Sequence, residues 1–142
     1  MIGIDTNVIV RYIVQDDPKQ AKAATQLLEQ ACSSDNPGFI NHIVMCEIVW
    51  VLKRSYKMDK AKLCQVIEQI LRTDRIVIED IQLVWRALET FKETKADFAD
   101  CLLGQRNLQA GCDYTATLDD AASTTPGYQH LLAGSKRLND RR

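Results

Sequence analysis

Nineteen Asp and Glu side chains are spread along 142 residues, and most stand where a helix wants a charge or a cap. Glu29, Asp59, Glu68, Glu89 and Glu93 fall on exposed helix faces or at helix starts. Asp5, Glu47, Asp97, Asp100 and Asp119 are harder to account for in that way. Asp5 interrupts an apolar stub, "IGIDTN", either as the N-cap of a helix beginning at Asn7 or as one wall of an active site, and the two roles are compatible. Glu47 has apolar residues on both sides, Ile43 to Cys46 and Ile48 to Leu52. A helix apolar around nearly its whole circumference is a buried one. A carboxylate there is either half of a buried ion pair or points into a polar site, because alone it would be costly or forced neutral. Asp97 and Asp100, in "KADFADCLLG", share a face in the first turn of a helix. Asp97 is well placed as its cap, whereas Asp100 is not needed for capping. Asp119, in "TATLDD", ends a predicted strand, and Asp120 competes with it for the inward position.

Acids brought together from four distant segments would repel, each raising its neighbours' affinity for a proton. A divalent cation resolves that repulsion, and hard oxygen ligands suit Mg²⁺ or Mn²⁺. Neither histidine is placed as a general base, since His42 lies near a helix start and His130 past a turn. The chemistry this set would support is attack of metal-activated water on a phosphodiester, with a second ion able to stabilise the leaving oxygen.

The elements that must carry these residues can be read from periodicity and punctuation. "IGID" is a short buried strand, followed by a helix through about Val14. "QDDPKQAKAATQLLEQAC" starts a helix at Pro18 behind Asp16 or Asp17, with Ala21, Ala24, Leu27, Leu28 and Ala31 at helical spacing. "SSDNPG" is a loop and "FIN" a second strand. Residues 41–56 form an apolar helix. Another begins near Asp59 and ends before a third strand, "RIVIED". Ile81, Val84, Trp85, Leu88 and Phe91 mark an amphipathic helix. A further helix from Asp97 to about Ala110 stops at Gly111, "DYTATLD" is a fourth strand, and "STTPGYQ" a turn. Strands alternating with helices imply an α/β fold with a short, mostly parallel sheet covered on both faces, a three-layer α/β/α sandwich. Ligands then gather outside the carboxyl ends of the strands, where Asp5 and Asp119 fall.

Size and composition fit one domain, assigned to residues 1–133, with 134–142 as a polar tail. A net charge of −1 excludes an overall basic field, so a nucleic-acid partner would need a local patch. Five cysteines with no CxxC pair read as reduced thiols, mostly buried, of a cytoplasmic protein rather than zinc ligands or disulfides. No signal pattern precedes Ile2 and no apolar run reaches membrane-span length.

The pieces "IDTNVIVRYI", "CEIVWVL", "ADFADCLL" and "TATLDD", in that order and spacing, resemble the PIN-domain family, specifically the toxin ribonucleases of VapBC toxin–antitoxin pairs. The resemblance covers essentially the whole chain. It implies that Asp5, Glu47, Asp100 and Asp119 are an acidic quartet holding Mg²⁺ or Mn²⁺ for endoribonuclease chemistry. Asp97 matches an accessory acid and metal ligand. Thr6 and Asn7 would fix the Asp5 turn, with Asn7 lining the pocket, and Thr117 matches a supporting hydroxyl two residues before the last acid. Leu118 and Cys101 depart from the family pattern without removing a ligand. The resemblance also implies an RNA substrate, a homodimer, and a small VapB-like antitoxin whose C-terminal segment blocks the site.

Lys53, Arg54, Lys57, Lys60 and Lys62 form the densest basic stretch. It is either a solvated helix end or a rim that steers phosphates; Arg11 is a second candidate phosphate contact. No aromatic stacking platform for bases is visible, and the apolar character of the first two helices is the one hint of a partner surface. The competing readings are an RNA-processing nuclease of the same fold without an antitoxin, a non-catalytic binding module, and an Asp-nucleophile phosphotransferase. The module would have lost a quartet acid, and none is lost; the phosphotransferase would carry Asp where Asn7 stands.

Overall fold

Parallel strands of two or three residues alternate with helices in the computed structural model, which describes residues 1–132. Two compact units divide the chain, Met1–Ile81 and the residues from Gln82 onward. The polar tail expected at 134–142 lies outside the described residues.

In the first unit, β1 (Ile2–Gly3), β2 (Gly38–Ile40) and β3 (Ile76–Ile78) form one parallel sheet in that order. Ile2 pairs with Gly38, and Phe39 with Val77. The ladder runs slightly past the strands, through Ile4 N donating to the Phe39 carbonyl at 2.9 Å and Glu79 N to the Ile40 carbonyl at 3.0 Å. Parallel strands need crossovers, and helices supply both. Helices α1 (Thr6–Val14) and α2 (Pro18–Gln26) join β1 to β2, and α3 (His42–Arg54) and α4 (Lys60–Leu71) join β2 to β3.

Each of these helices begins where a short polar side chain can accept from a freed amide. Asp5 Oδ1 takes Thr6 N at 2.7 Å, Asp17 takes Gln20 N at 3.0 Å, Asn41 takes Val44 N at 2.9 Å and Asp59 takes Lys62 N at 2.8 Å. Pro18 occupies the first position of α2, where its missing N–H costs nothing. The end of this segment differs from simple helical spacing. Leu27–Ala31 is a π turn closed by Cys32 N on the Leu27 carbonyl. The wider turn shifts the phase by one residue, so Ala31 is exposed and Cys32 takes the buried position. Ile4, Ile9, Ile40, Met45, Ile48, Leu52, Leu63 and Ile67 form the core of this unit.

In the second unit, α5 (Ile81–Glu93) and α6 (Phe98–Gln109) precede a two-stranded parallel sheet of β4 (Thr115–Thr117) and β5 (Tyr128–His130). Phe91 and Phe98 meet edge to face at 5.8 Å between ring centroids, and Leu83, Val84, Ala87, Leu88, Cys101 and Leu102 are buried. Gly111 ends α6 at φ +100°, a backbone conformation that glycine adopts without penalty. β5 stands where the sequence predicts part of a turn, and the five strands among the described residues fall in two parallel sheets rather than one. The fold is mostly helical α/β with short parallel sheets. No described helix is long and apolar enough to cross a membrane.

Candidate active site

The carboxyl edge of the first sheet carries a polar residue after each strand: Asp5 after β1, Asn41 after β2 and Glu79 after β3. Asp5 is exposed and caps α1, so the capping role is real and leaves the second carboxylate oxygen outside that bond. Thr6 is buried, and its hydroxyl has no hydrogen-bond partner among the described residues. Asn7 is exposed on the first turn and, with Val8 and Arg11, borders a shallow cleft between α1 and α2. His42 is buried: its backbone N donates to Glu79 Oε1 at 2.8 Å, and its Nε2 lies 2.6 Å from the Glu79 carbonyl oxygen. Glu79 therefore ties the start of α3 to the end of β3, a role that no sequence motif announced.

Glu47 corrects an expectation. It is exposed, because α3 is amphipathic rather than buried all round. Met45, Ile48, Val49 and Leu52 point inward, while Ile43, Glu47, Trp50 and Arg54 lie on the opposite face at helical spacing. Ile43 is 70% and Trp50 59% exposed, which misled a reading by hydrophobicity alone. The Arg54 guanidinium sits 5.6 Å from the Trp50 ring centroid. An exposed aromatic surface therefore does exist, contrary to the sequence reading.

The basic candidates divide in two. Lys53, Arg54 and Lys57 are exposed at and just past the end of α3. Arg11 is committed to a network: it donates to Tyr56 Oη at 2.7 Å and to Gln20 Oε1 at 2.7 Å, and pairs with Asp16 at 3.3 Å.

In the second unit, the late acids share an electrostatic neighbourhood. Asp97 caps α6 by backbone geometry, without a side-chain cap bond, and Asp100 lies in the first turn. Asp119 leaves the sheet two residues beyond β4. Its N–H donates to Thr117 Oγ1 at 3.0 Å and its Oδ1 accepts from Ala122 N at 2.7 Å, so Thr117 does support the turn. Burial first, then the charges of Asp97 and Asp119, holds the Asp100 carboxyl above its ordinary value. Asp120, whose side chain is fully exposed, instead contacts His130 Nε2 at 3.0 Å. The residue whose charge Asp100 feels is thus Asp119.

Tyr128 had no sequence signal at all. Its hydroxyl donates to the Asp100 carbonyl at 2.6 Å. Burial, then Asp100 and Cys101, pushes its pKa up to about 12.

Among the described residues, no three His, Cys, Asp or Glu side chains gather closely enough to ligate a metal ion directly. The donor chemistry of the second unit nevertheless suits a hard cation. Mg²⁺ keeps several of its waters and is held by one or two carboxylates, and a carboxylate raised by two others gains from a positive charge beside it.

The chain belongs to the PIN domain family, whose model matches residues 2–127. It is similar to a VapC ribonuclease of Aquifex aeolicus (strain VF5), 23% identical over 99 residues, covering 70% of this chain and 73% of that protein.

Proposed function

We propose that this protein is an endoribonuclease dependent on Mg²⁺ or Mn²⁺ and the toxin of a type II toxin–antitoxin pair. The observation that carries the reading is the electrostatic neighbourhood of the late acids. Asp100, on a helix start, has its carboxyl raised first by burial and then by the charges of Asp97 and of Asp119 beyond a strand end, in a chain of the PIN domain family. Membership alone would leave the chemistry open; a standing repulsion among carboxylates favours a cation. The similarity to a protein named VapC ribonuclease supports RNA as the substrate.

Asp5, Glu47, Asp100 and Asp119 are the acids proposed for cation binding and catalysis, with Asp97 accessory. A bound divalent cation supplies charge neutralisation at the phosphate and lowers the pKa of water. The chain's own residues do the rest. The Thr6 backbone N–H and the Thr117 hydroxyl brace the turns that present Asp5 and Asp119. Asp100, already disposed to bind a proton, is the carboxylate with most to gain from positive charge. Lys53, Arg54 and Lys57 draw RNA phosphates toward the protein, while Arg11 braces α1 through Tyr56 and Asp16. A VapB-like antitoxin and a homodimer follow from the resemblance, and the exposed Ile43 and Trp50 support a covering partner for α3.

Purified protein incubated with total cellular RNA is expected to cleave it with Mg²⁺ or Mn²⁺ and to stop when the metal is chelated. Cleavage unaffected by chelation would contradict the reading. Expression is expected to arrest growth, with relief by the product of a small neighbouring gene. RNA cleavage without arrest would instead identify a processing nuclease.

A further inference from the structure

One face of α6 meets the second sheet and the turn before β5 at a few positions, the first of them Asp100. The Tyr128 ring lies so close to α6 that a Cβ on Gly104 would stand 2.6 Å from its Cε1. Its hydroxyl reaches one turn back to the Asp100 carbonyl at 2.6 Å. One turn further on, Asn107 Nδ2 donates to Thr115 Oγ1 at 3.0 Å, and Thr115 is the β4 residue in register with Tyr128. Leu108 then packs against Gly127, where an added Cβ would lie 3.1 Å from Leu108 Cδ1. Positions 100, 104, 107 and 108 are one helical stripe.

We propose that Tyr128 is a positioning residue, whose ring and hydroxyl clamp the first turn of α6 to the sheet and so set the spacing of Asp100 from Asp119. The inference rests on reading these two acids as cation-binding. Asp100 rides on the helix and Asp119 on the turn two residues beyond β4, so their separation follows that of α6 from the sheet. Like charges drive those elements apart when no cation is present. A hydroxyl tied to a main-chain carbonyl resists that drift without presenting a competing ligand to the ion. A side chain at Gly104 would force the Tyr128 ring to shift from its place against the helix.

The test uses the full chain and needs no RNA. Mn²⁺ uptake is measured by calorimetry alongside thermal melting. Tyr128→Phe keeps the ring and removes the hydroxyl. It is expected to weaken Mn²⁺ binding about 10-fold or more, the range seen when partners of metal ligands are lost, while the protein still melts cooperatively. Gly104→Ala keeps the hydroxyl but displaces the ring, and is expected to weaken binding as well; the double variant should be no weaker than Gly104→Ala alone, because both act on one clamp. With RNA present, kcat should fall and KM stay. Mn²⁺ affinity within about twofold of wild type in Tyr128→Phe, whatever its melting temperature, overturns the clamp. Should Tyr128→Phe not fold, Asn107→Ala loosens the same stripe and is expected to weaken Mn²⁺ severalfold; unchanged affinity there also overturns it. Wild-type protein that takes up no Mn²⁺ overturns the cation reading and the clamp with it, whereas equal uptake by wild type and Tyr128→Phe overturns the clamp alone.

Discussion

Asp100 is where charge and structure conflict most openly. Its carboxyl is raised above the ordinary 3.8, so the folded chain holds this proton more tightly than the unfolded chain does. The penalty is absent below the ordinary value and grows as pH rises through the raised one, where the charged form must be held beside Asp97 and Asp119. Metal-free wild type is therefore expected to lose thermal stability relative to Asp100→Asn as pH rises through that window, and added Mn²⁺ should reverse the difference. Melts that superimpose across the window would contradict the assignment. The same variant should cut RNA at least ~100-fold more slowly, the upper range for losing even an indirect partner of a ligand. Asp100 was legible as a candidate because it sits where no cap is needed. The Asp119–Asp120 ambiguity was not, since two adjacent aspartates at a strand end differ only in which one the turn directs to Ala122 and which to His130.

Helices and strands were legible to the degree that they are locally encoded. The caps at Asp17, Asn41 and Asp59 follow from residue type, and each makes its side-chain bond. Asn41→Ala is expected to cost about 1 kcal/mol in urea unfolding, the usual value of such a cap, with Glu79 still holding His42 N. A loss below about 0.3 kcal/mol would mean that the tie from β3 already fixes the start of α3. What local rules could not supply is equally specific. Cys32 is buried in place of Ala31 because a π turn widens the helix end. Glu47 is exposed because its apolar neighbours divide between two faces, one of them uncovered. β5, "YQH", has neither alternation nor length, and its parallel pairing with β4, which α6 braces through Asn107 and Thr115, is not a local signal.

A molecule with a net charge of −1 attracts RNA poorly as a whole, so any attraction has to be local. Lys53, Arg54 and Lys57 lie exposed at and just past the end of α3. If they touch phosphates, the logarithm of RNA affinity should fall with the logarithm of salt by roughly 0.7 per contact for a single strand. Replacing all three by alanine should reduce that slope by about 2. An unchanged slope would assign them to the solvated end of a helix. The class of the molecule was legible from four short segments in register, and the match across residues 2–127 agrees with them.

Asp5 is either a cap alone or a cap and a cation ligand, and one substitution separates the two roles. Asparagine caps helices as well as aspartate does, so Asp5→Asn keeps the bond to Thr6 N and removes only the charge. RNA cleavage by this variant in Mg²⁺ or Mn²⁺ is the measurement, with a thermal melt on the same sample. With Asp5 as a cation ligand, the melting temperature is expected to stay unchanged and cleavage to be abolished. Cleavage at the wild-type rate would show that Asp5 does nothing but start a helix, and would contradict the site as proposed.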